Sequence, residues 1–246
     1  MDAILLAAGM GNRLGLADGR PKALLEIGGC SLLQRHVQNL AALGIRKLTI
    51  CTGYRAVDIL AAIRDQAAPR IECVENPDFT AGSIKSLWAV RSALNCGEEV
   101  LLMDADVLYP AHFLDRLAAS VHRSCLLLDR AYVPGDEPVK VCVQGSRIVD
   151  FSKRPDPARA WDFTGESVGF FKLSPTTARA LAAHCERFIA TGRAQEPHEN
   201  ALQELLRSGE HDFGFEDISG EPWIEIDFPA DILRATDEIL PAIHRV

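Results

Sequence analysis

Apolar strand patterns and helical patterns alternate through the first 120 residues, and this alternation limits the fold more than any other feature of the sequence. Four short apolar runs are predicted strands, at residues 3–8, 47–52, 70–74 and 99–104. Three segments with helical spacing lie between them, at residues 31–43, 56–64 and 83–94. Strands separated by helices form βαβ units, which place the strands side by side in one sheet. We therefore expect an α/β fold whose mostly parallel sheet carries helices on both faces.

The pattern changes after residue 126. Segments 139–143 and 148–151 flank a Gly145-Ser146 turn, which predicts a β-hairpin. The remaining predicted elements are a strand at 167–173, a helix that begins at Ser174-Pro175, a helix at 197–206, a strand at 223–226, and a closing helix from Pro229 to residue 240. No repeat or linker divides the chain, so we expect a single domain.

Composition excludes several classes of partner. The net charge is −8, whereas duplex nucleic acid and anionic membrane surfaces both require a basic face. No apolar run approaches the ~20 residues of a membrane span, and the chain starts without a basic leader. The seven cysteines lie far apart with no C-x-x-C pair, which indicates reduced thiols. We expect a soluble, cytoplasmic protein that binds neither nucleic acid nor membrane.

The first predicted strand leads directly into a glycine loop, LAAGMGNRLG at residues 6–15. Three glycines allow the backbone to approach a ligand closely, and exposed amides suit phosphate oxygens. Arg13 adds a planar, always-charged donor, and Lys22 follows as a second cation. The dinucleotide motif G-x-G-x-x-G is excluded because position 14 is Leu14, and no Walker A string is present. The loop therefore predicts a phosphate site of another kind.

Two predicted strands end in carboxylates. Asp104 and Asp106 end an apolar strand, and alternation places Glu225 and Asp227 on one face of a late strand. The carboxyl ends of strands border the ligand crevice of a parallel sheet, and carboxylate oxygens there suit Mg²⁺. Asp227 precedes Phe228-Pro229, so a second interpretation is that it caps the following helix.

Residues 6–14, followed by Pro21-Lys22, resemble the L-A-A-G-x-G-x-R-(x)n-P-K motif of nucleotidyltransferases that act on sugar phosphates and alcohol phosphates. Segments 76–79 and 83–88 look like the base-binding stretch of bacterial phosphocholine cytidylyltransferases. Segments 128–130, 139–141 and 169–171 also resemble inositol-1-phosphate cytidylyltransferases. The resemblance thus spans nearly the whole chain and is strongest for the bacterial phosphocholine enzymes.

The resemblance implies a Rossmann-like enzyme that transfers CMP from CTP to a phosphorylated amino-alcohol, either phosphocholine or a related phosphate or phosphonate. The products would be a CDP-alcohol and pyrophosphate. A related enzyme acting on inositol-1-phosphate or a sugar-1-phosphate stays open, as do a non-catalytic nucleotide-binding regulator and a homodimer. The implied division is a nucleotide-binding core at 1–125, an acceptor-side elaboration with the hairpin and helices at 126–212, and a closing strand and helix at 213–246.

The resemblance also implies a role for each matching residue. Arg13 and Lys22 would be catalytic, and Asp106 and Asp227 would hold Mg²⁺. Thirteen residues would bind the nucleotide: Leu6, Ala7, Ala8, Gly9, Met10, Gly11, Asn12, Arg13, Asn76, Gly82, Ser83, Ser86 and Asp104. For Ser83, helix capping is an equally good interpretation. Four residues would bind the acceptor: Lys140, Lys153, Glu166 and Glu199.

Overall fold

The computed structural model describes residues 1–16 and 18–245; Ala17 and Val246, within the predicted core and closing segment, lie outside the described residues. The strands are Asp2–Leu6 (β1), Glu26–Ile27 (β2), Cys30–Ser31 (β3), Lys47–Thr52 (β4), Arg70–Glu75 (β5), Val100–Asp104 (β6), Val107–Leu108 (β7), Ser124–Asp129 (β8), Lys140–Gln144 (β9), Arg147–Ser152 (β10), Phe163–Leu173 (β11), Phe213–Asp217 (β12) and Ile224–Glu225 (β13). The α-helices are Leu32–Ala42 (α1), Ala56–Ile63 (α2), Ser83–Ala89 (α3), Arg91–Leu94 (α4), His112–Ala119 (α5), Pro175–Ala190 (α6), His198–Ser208 (α7), Pro229–Arg234 (α8) and Leu240–Ile243 (α9), with a π-helical stretch at Ala235–Ile239 between the last two.

One nine-stranded sheet forms the centre of the molecule, with the order β10-β9-β11-β6-β1-β4-β5. Strand β8 also pairs with β11, and β12 pairs with β8. Strands β1, β4, β5 and β6 are mutually parallel, as the βαβ pattern predicts. Pairing places β8, β9 and β12 in that same direction, so that only β11 and β10 of this sheet run against it. The predicted α/β fold with a mostly parallel sheet is confirmed.

The sheet is covered on both faces, because alternate residues of its strands enter two different cores. In β1, Ile4 packs into the core under α3, α6 and α7, whereas Ala3 and Leu5 pack into the core under α1 and α5. In β11, Phe171 packs into the first of these cores and Phe170 into the second. Strands buried on both sides explain the continuous apolar runs of the sequence.

Local signals correctly located several elements. The Ser31 hydroxyl accepts the Gln34 amide and the Gln34 side chain accepts the Ser31 amide, a capping box that begins α1. Ser174 caps α6, with its hydroxyl accepting the Thr177 amide. Strands β9 and β10 form the predicted antiparallel hairpin, whose turn contains Gly145 at φ 60°.

Other predicted elements differ from the structure. The helix predicted at 83–94 is broken at Val90, which leaves the helical region with φ −91° and ψ 15°. The late strand at 223–226 is shorter, and β13 pairs with β7 outside the main sheet. The closing helix continues past Pro241, which is the second residue of α9. Strand β12 was not predicted, because its glycine, Gly214, interrupts any alternation. Within the described residues, every helix is too short or too polar to cross a membrane.

Candidate functional site

The glycine loop leaves β1 at the carboxyl edge of the parallel strands. Gly11 and Gly15 have left-handed backbones, with φ of 63° and 56°, which favour glycine. Among the described residues, the amides of Gly9, Met10 and Gly11 donate to no protein acceptor. A backbone that presents unpaired N–H groups at a concave turn is suited to bind an anion.

Lys22 lies between this loop and two carboxylates. Its Nζ donates to Asp106 Oδ2 at 2.8 Å and to Asp227 Oδ1 at 2.5 Å. Burial by itself would lower the pKa of Lys22, but Asp106 and Asp227 raise it above its ordinary value, so the ammonium stays charged. The lysine stem crosses the loop at Gly11, where a Cβ would lie 2.5 Å from Lys22 Cγ. Any side chain at this glycine would therefore displace the lysine.

The two carboxylates come together because their chain segments are hydrogen-bonded. The Ile226 amide donates to the Asp106 carbonyl at 3.0 Å. Asp231 Oδ2 accepts the amides of Asp227 and Phe228; Phe228 occupies the N-cap position of α8, and Asp231 is the third residue of the helix. The interpretation of Asp227 as the helix cap is wrong, and its side chain instead faces Lys22.

Glu225 completes a cluster that could hold a metal ion. One carboxylate oxygen from each of Asp106, Glu225 and Asp227 lies within 4.8 Å of the other two. Burial raises the pKa of Glu225, and the two neighbouring aspartates raise it further. An all-oxygen set of this kind fits a hard cation such as Mg²⁺. The sequence placed Glu225 on the face of Asp227 but did not assign it, although strand alternation was a sufficient signal.

Arg13 is directed away from the loop amides. Its Nη2 lies 3.0 Å from Asp227 Oδ2, and its Nη1 donates to Glu137 Oε2 at 2.7 Å. Lys153 Nζ donates to the same Glu137 oxygen at 3.1 Å. Glu137 thus joins the first cation of the glycine loop to a lysine of the hairpin. Sequence analysis missed it, because it lies in a loop without periodicity.

A cavity of about 240 Å³ extends from the loop across the ends of the strands. Seven of the thirteen residues predicted to bind nucleotide line it: Leu6, Ala7, Ala8, Gly9, Ser83, Ser86 and Asp104. Both Lys22 and Asp106 line it as well, together with Phe79, which lies in the predicted base-binding stretch, and His198, which the sequence did not assign to the site. The other six predicted residues are not part of its wall: Met10, Gly11, Asn12, Arg13, Asn76 and Gly82.

Residues behind the wall of this cavity hold the residues that form the wall in place. Asn76 Nδ2 donates to the buried Ser86 hydroxyl at 3.0 Å. The Ser83 hydroxyl accepts the His198 amide at 2.8 Å, so it ties α3 to α7, while Gly82 occupies the cap position of α3. The interpretation of Ser83 as the helix cap is therefore wrong. At Gly82 a Cβ would lie 2.5 Å from the Gln195 carbonyl, which explains the glycine.

Asp104 lies at the end of β6, where the cavity meets the antiparallel strand β11. Burial raises its pKa well above the ordinary value, and the charges of Asp106 and Glu199 add to this effect. A Cβ at Gly169 would overlap the Asp104 carboxylate, so the glycine makes room for that side chain. His198 Nε2 lies 3.7 Å from Asp104.

A second cavity, of about 290 Å³, lies on the other side of Glu225 and Asp227. Glu166 lines it, opposite Asp129 in the β8–β11 register, and burial together with Asp129 raises the pKa of Glu166 to about 7. Trp223 Nε1 donates to Asp129 Oδ2 at 2.9 Å. The cavity is therefore acidic and partly aromatic.

The four residues predicted to bind the acceptor do not form one group. Glu166 lines the second cavity, whereas Lys153 and Glu199 line a cleft of about 40 Å³ that also reaches Glu225. Lys140 lines neither; its Nζ donates to the carbonyls of Gly135 and Lys153 at 2.6 and 2.9 Å.

Unpaired loop amides beside a carboxylate cluster, at the carboxyl edge of parallel strands, form a site suited to a phosphate-containing ligand in an α/β protein. The family model of the MobA-like NTP transferase domain matches residues 3–148. The chain belongs to this family of nucleotidyltransferases, and the resemblance inferred from the glycine loop is confirmed.

Three comparisons give the range of its relatives. The CMP-5'-(3-aminopropyl)phosphonate synthase of Streptomyces rubellomurinus is 28% identical over 97% of this chain and 39% of that protein. The bifunctional IPC transferase and DIPP synthase of Rubrobacter xylanophilus is 28% identical over 97% of this chain and 51% of that protein. The chain thus spans about half or less of these two relatives. A CTP:phosphocholine cytidylyltransferase structure from Streptococcus pneumoniae has the same fold, with a TM-score of 0.76 and 23% identity over 97% of this chain and 98% of that one.

Proposed function

We propose that this chain is a cytidylyltransferase that transfers CMP from CTP to a phosphorylated amino-alcohol or a related phosphonate. The observation that carries the proposal is the contact of Lys22 with Asp106 and Asp227 beside the unpaired loop amides. Relatives that make a CMP-aminoalkylphosphonate or use CTP and phosphocholine support the choice of cytidine and of the acceptor. On this proposal residues 1–125 bind the nucleotide and residues 126–212 bind the acceptor. Residues 213–246 place Glu225 and Asp227 in the carboxylate cluster with Asp106.

The first cavity is the proposed nucleotide site. Free amides of Gly9 to Gly11 bind the triphosphate, and Lys22 meets the charge that develops at the α-phosphate. Arg13 reaches the β- and γ-phosphates by leaving Glu137 and Asp227, a change its long side chain allows. Asn76 and Gly82 support the wall of the cavity from behind, and Asn12 continues the phosphate-binding loop.

Mg²⁺ is the proposed metal, held by Asp106, Glu225 and Asp227. This adds Glu225 to the two ligands inferred from the sequence, because its oxygen lies in the same 4.8 Å cluster. When bound, the ion would neutralise negative charge on the phosphates and orient them.

Transfer requires little covalent chemistry from the protein. An oxygen of the acceptor phosphate attacks the α-phosphorus in line; a new P–O bond forms, the α–β P–O bond breaks, and pyrophosphate leaves with the electron pair. The attacking oxygen is already ionised, so no general base is needed. The chain contributes position and positive charge, through the loop amides, Arg13 and Lys22.

The second cavity suits an acceptor that carries an ammonium group. Asp129 and Glu166 face each other there, and within the described part of the chain neither makes a close ion pair with a cation. The walls include Tyr132, whose hydroxyl is hydrogen-bonded to Thr164 at 3.0 Å, and Trp223. Carboxylates and aromatic faces together bind alkylammonium groups. Lys153, in the adjoining cleft, is the proposed partner of the acceptor phosphate, with Lys140 holding its loop and Glu199 opposite it.

Pyrophosphate release tests the proposal. Purified protein with Mg²⁺ is assayed with each of the four NTPs against phosphocholine, 2-aminoethylphosphonate, inositol-1-phosphate and glucose-1-phosphate. We expect release with CTP and one of the first two acceptors, and none from Asp227→Asn. Release only with UTP or dTTP and a sugar phosphate would contradict it. Tight CTP binding without release across the panel would indicate a regulator instead.

A further inference from the structure

We propose that Lys22 closes the carboxylate cluster to divalent cations until nucleotide phosphates draw its ammonium away. On this view the metal enters with the nucleotide or after it, and Lys22 couples the two binding events. The inference rests on the proposed function only in taking Asp106, Glu225 and Asp227 as the metal site. It does not depend on which base or acceptor the enzyme uses.

Lys22 holds the oxygens that a metal would need. Its Nζ lies 2.8 Å from Asp106 Oδ2 and 2.5 Å from Asp227 Oδ1, and these carboxylates supply two of the three clustered ligands. Mg²⁺ binds oxygen at about 2.0–2.1 Å, so an ion on the same two oxygens would sit almost where the ammonium is. Two positive centres cannot share that position, and one must leave.

The ion pair is also well shielded from solvent. The side chains of Lys22 and Asp227 are 14% and 13% exposed, so salt and water screen their attraction weakly. Arg13 lies 3.0 Å from the other oxygen of Asp227, so both oxygens of this carboxylate face a cation. A metal ion entering alone would have to displace charges that are already paired.

Nucleotide phosphates offer the Lys22 ammonium a new anionic partner, which a metal ion entering alone does not. The stem of Lys22 lies against the loop, with Cγ and Cδ 2.5 and 3.2 Å from a Cβ position on Gly11, and it lines the first cavity beside Gly9. Rotation of the outer bonds of the flexible stem moves Nζ from the carboxylates toward phosphates on the loop amides, without movement of the backbone. The ammonium then neutralises phosphate, and the carboxylates are free for the metal.

The experiment measures Mn²⁺ binding without nucleotide, by electron paramagnetic resonance of the free ion. Five proteins are compared: wild type, Lys22→Met, Lys22→Arg, Asp227→Asn and Lys47→Met. Lys47 pairs with Glu72 at 2.6 Å and is the first residue of β4, at the edge of the sheet opposite the site, so its variant matches the loss of one charge away from the site. We expect Lys22→Met to bind Mn²⁺ at least about tenfold more tightly than wild type, a difference of about 1.4 kcal/mol. Lys47→Met and Lys22→Arg should stay near wild type.

Two further measurements follow CTP binding without metal and the thermal stability of each variant. Calorimetry in EDTA should detect CTP binding to wild type and a loss of at least about tenfold in Lys22→Met, since this variant has no ammonium to neutralise the phosphates. Mn²⁺ should raise the melting temperature of Lys22→Met more than that of wild type, which reports binding even if this variant is less stable.

The outcomes separate this inference from the proposed function. Equal Mn²⁺ affinity in wild type and Lys22→Met, together with a loss in Asp227→Asn, would overturn the coupling and leave the metal site intact. Equal and negligible binding in all variants would overturn both the coupling and the assignment of the cluster.

Discussion

Replacing Gly11 with alanine separates the backbone role of the glycine loop from its role in positioning Lys22. Gly11 has φ +63°, and an alanine in this region costs about 1–2 kcal/mol of unfolding free energy. The new Cβ would also lie 2.5 Å from Lys22 Cγ, closer than carbon atoms can approach, so the lysine has to leave Asp106 and Asp227. Gly11→Ala therefore changes stability modestly and the site severely.

Gly15→Ala is the matched control. Gly15 has φ +56°, nearly the same backbone strain, but no atom lies within 4 Å of a Cβ built there. Both variants should lower the melting temperature by roughly 2–4 °C for each kcal/mol lost, as followed by circular dichroism. Only Gly11→Ala should lose about 10²–10³-fold in the rate of pyrophosphate release, the usual effect of removing one electrostatic group at a transferring centre. Equal losses of rate in the two variants, or a normal rate in Gly11→Ala, would refute the reasoning.

Two further substitutions give three predictions. Arg207 donates to both carboxylate oxygens of the fully buried Asp150, at 2.7 and 2.8 Å, so Arg207→Met leaves that carboxylate without its cation. Urea denaturation should detect a loss of about 3 kcal/mol of unfolding free energy, and an unchanged midpoint would contradict this. Glu166 has a pKa of about 7 against an ordinary 4.5, so the folded state favours its neutral form. The unfolding free energy of wild type relative to Glu166→Gln should therefore be greatest below pH 4.5 and fall as the pH rises through 7. A difference between the two proteins that does not change with pH would contradict this. The same variant should weaken phosphocholine binding in titrations at pH 8 while leaving CTP affinity unchanged, and no difference there would remove Glu166 from the acceptor site.

Signals confined to a few neighbouring residues predicted the structure well. The apolar run before the glycine loop, the Ser31 capping box, the Gly145 turn and the Ser174-Pro175 helix start all act through local sterics and hydrogen bonds. The parallel sheet predicts that the end of β6, and with it Asp106, borders the crevice. Asp227 instead follows β13 outside that sheet, and it approaches Asp106 because the Ile226 amide donates to the Asp106 carbonyl.

What the sequence missed depends on contacts between distant segments. Glu137 meets Arg13 across 124 positions of chain, and no pattern within its loop indicates this. Strand β12 exists because β8 offers an open edge, not because Phe213–Asp217 alternates. Lys140 lies apart from the other predicted acceptor residues for a local reason, because its ammonium donates to the nearby carbonyls of Gly135 and Lys153.

Transfer by direct attack of the acceptor phosphate is the central claim, and isotope tracing measures it. Protein, Mg²⁺ and CTP are incubated with phosphocholine or 2-aminoethylphosphonate labelled with ¹⁸O on phosphorus, and the products are examined by ³¹P nuclear magnetic resonance. The account predicts a CDP-alcohol or its phosphonate analogue with ¹⁸O in the new P–O–P bridge, and unlabelled pyrophosphate. Label in pyrophosphate, or free CMP in place of the coupled product, would contradict it.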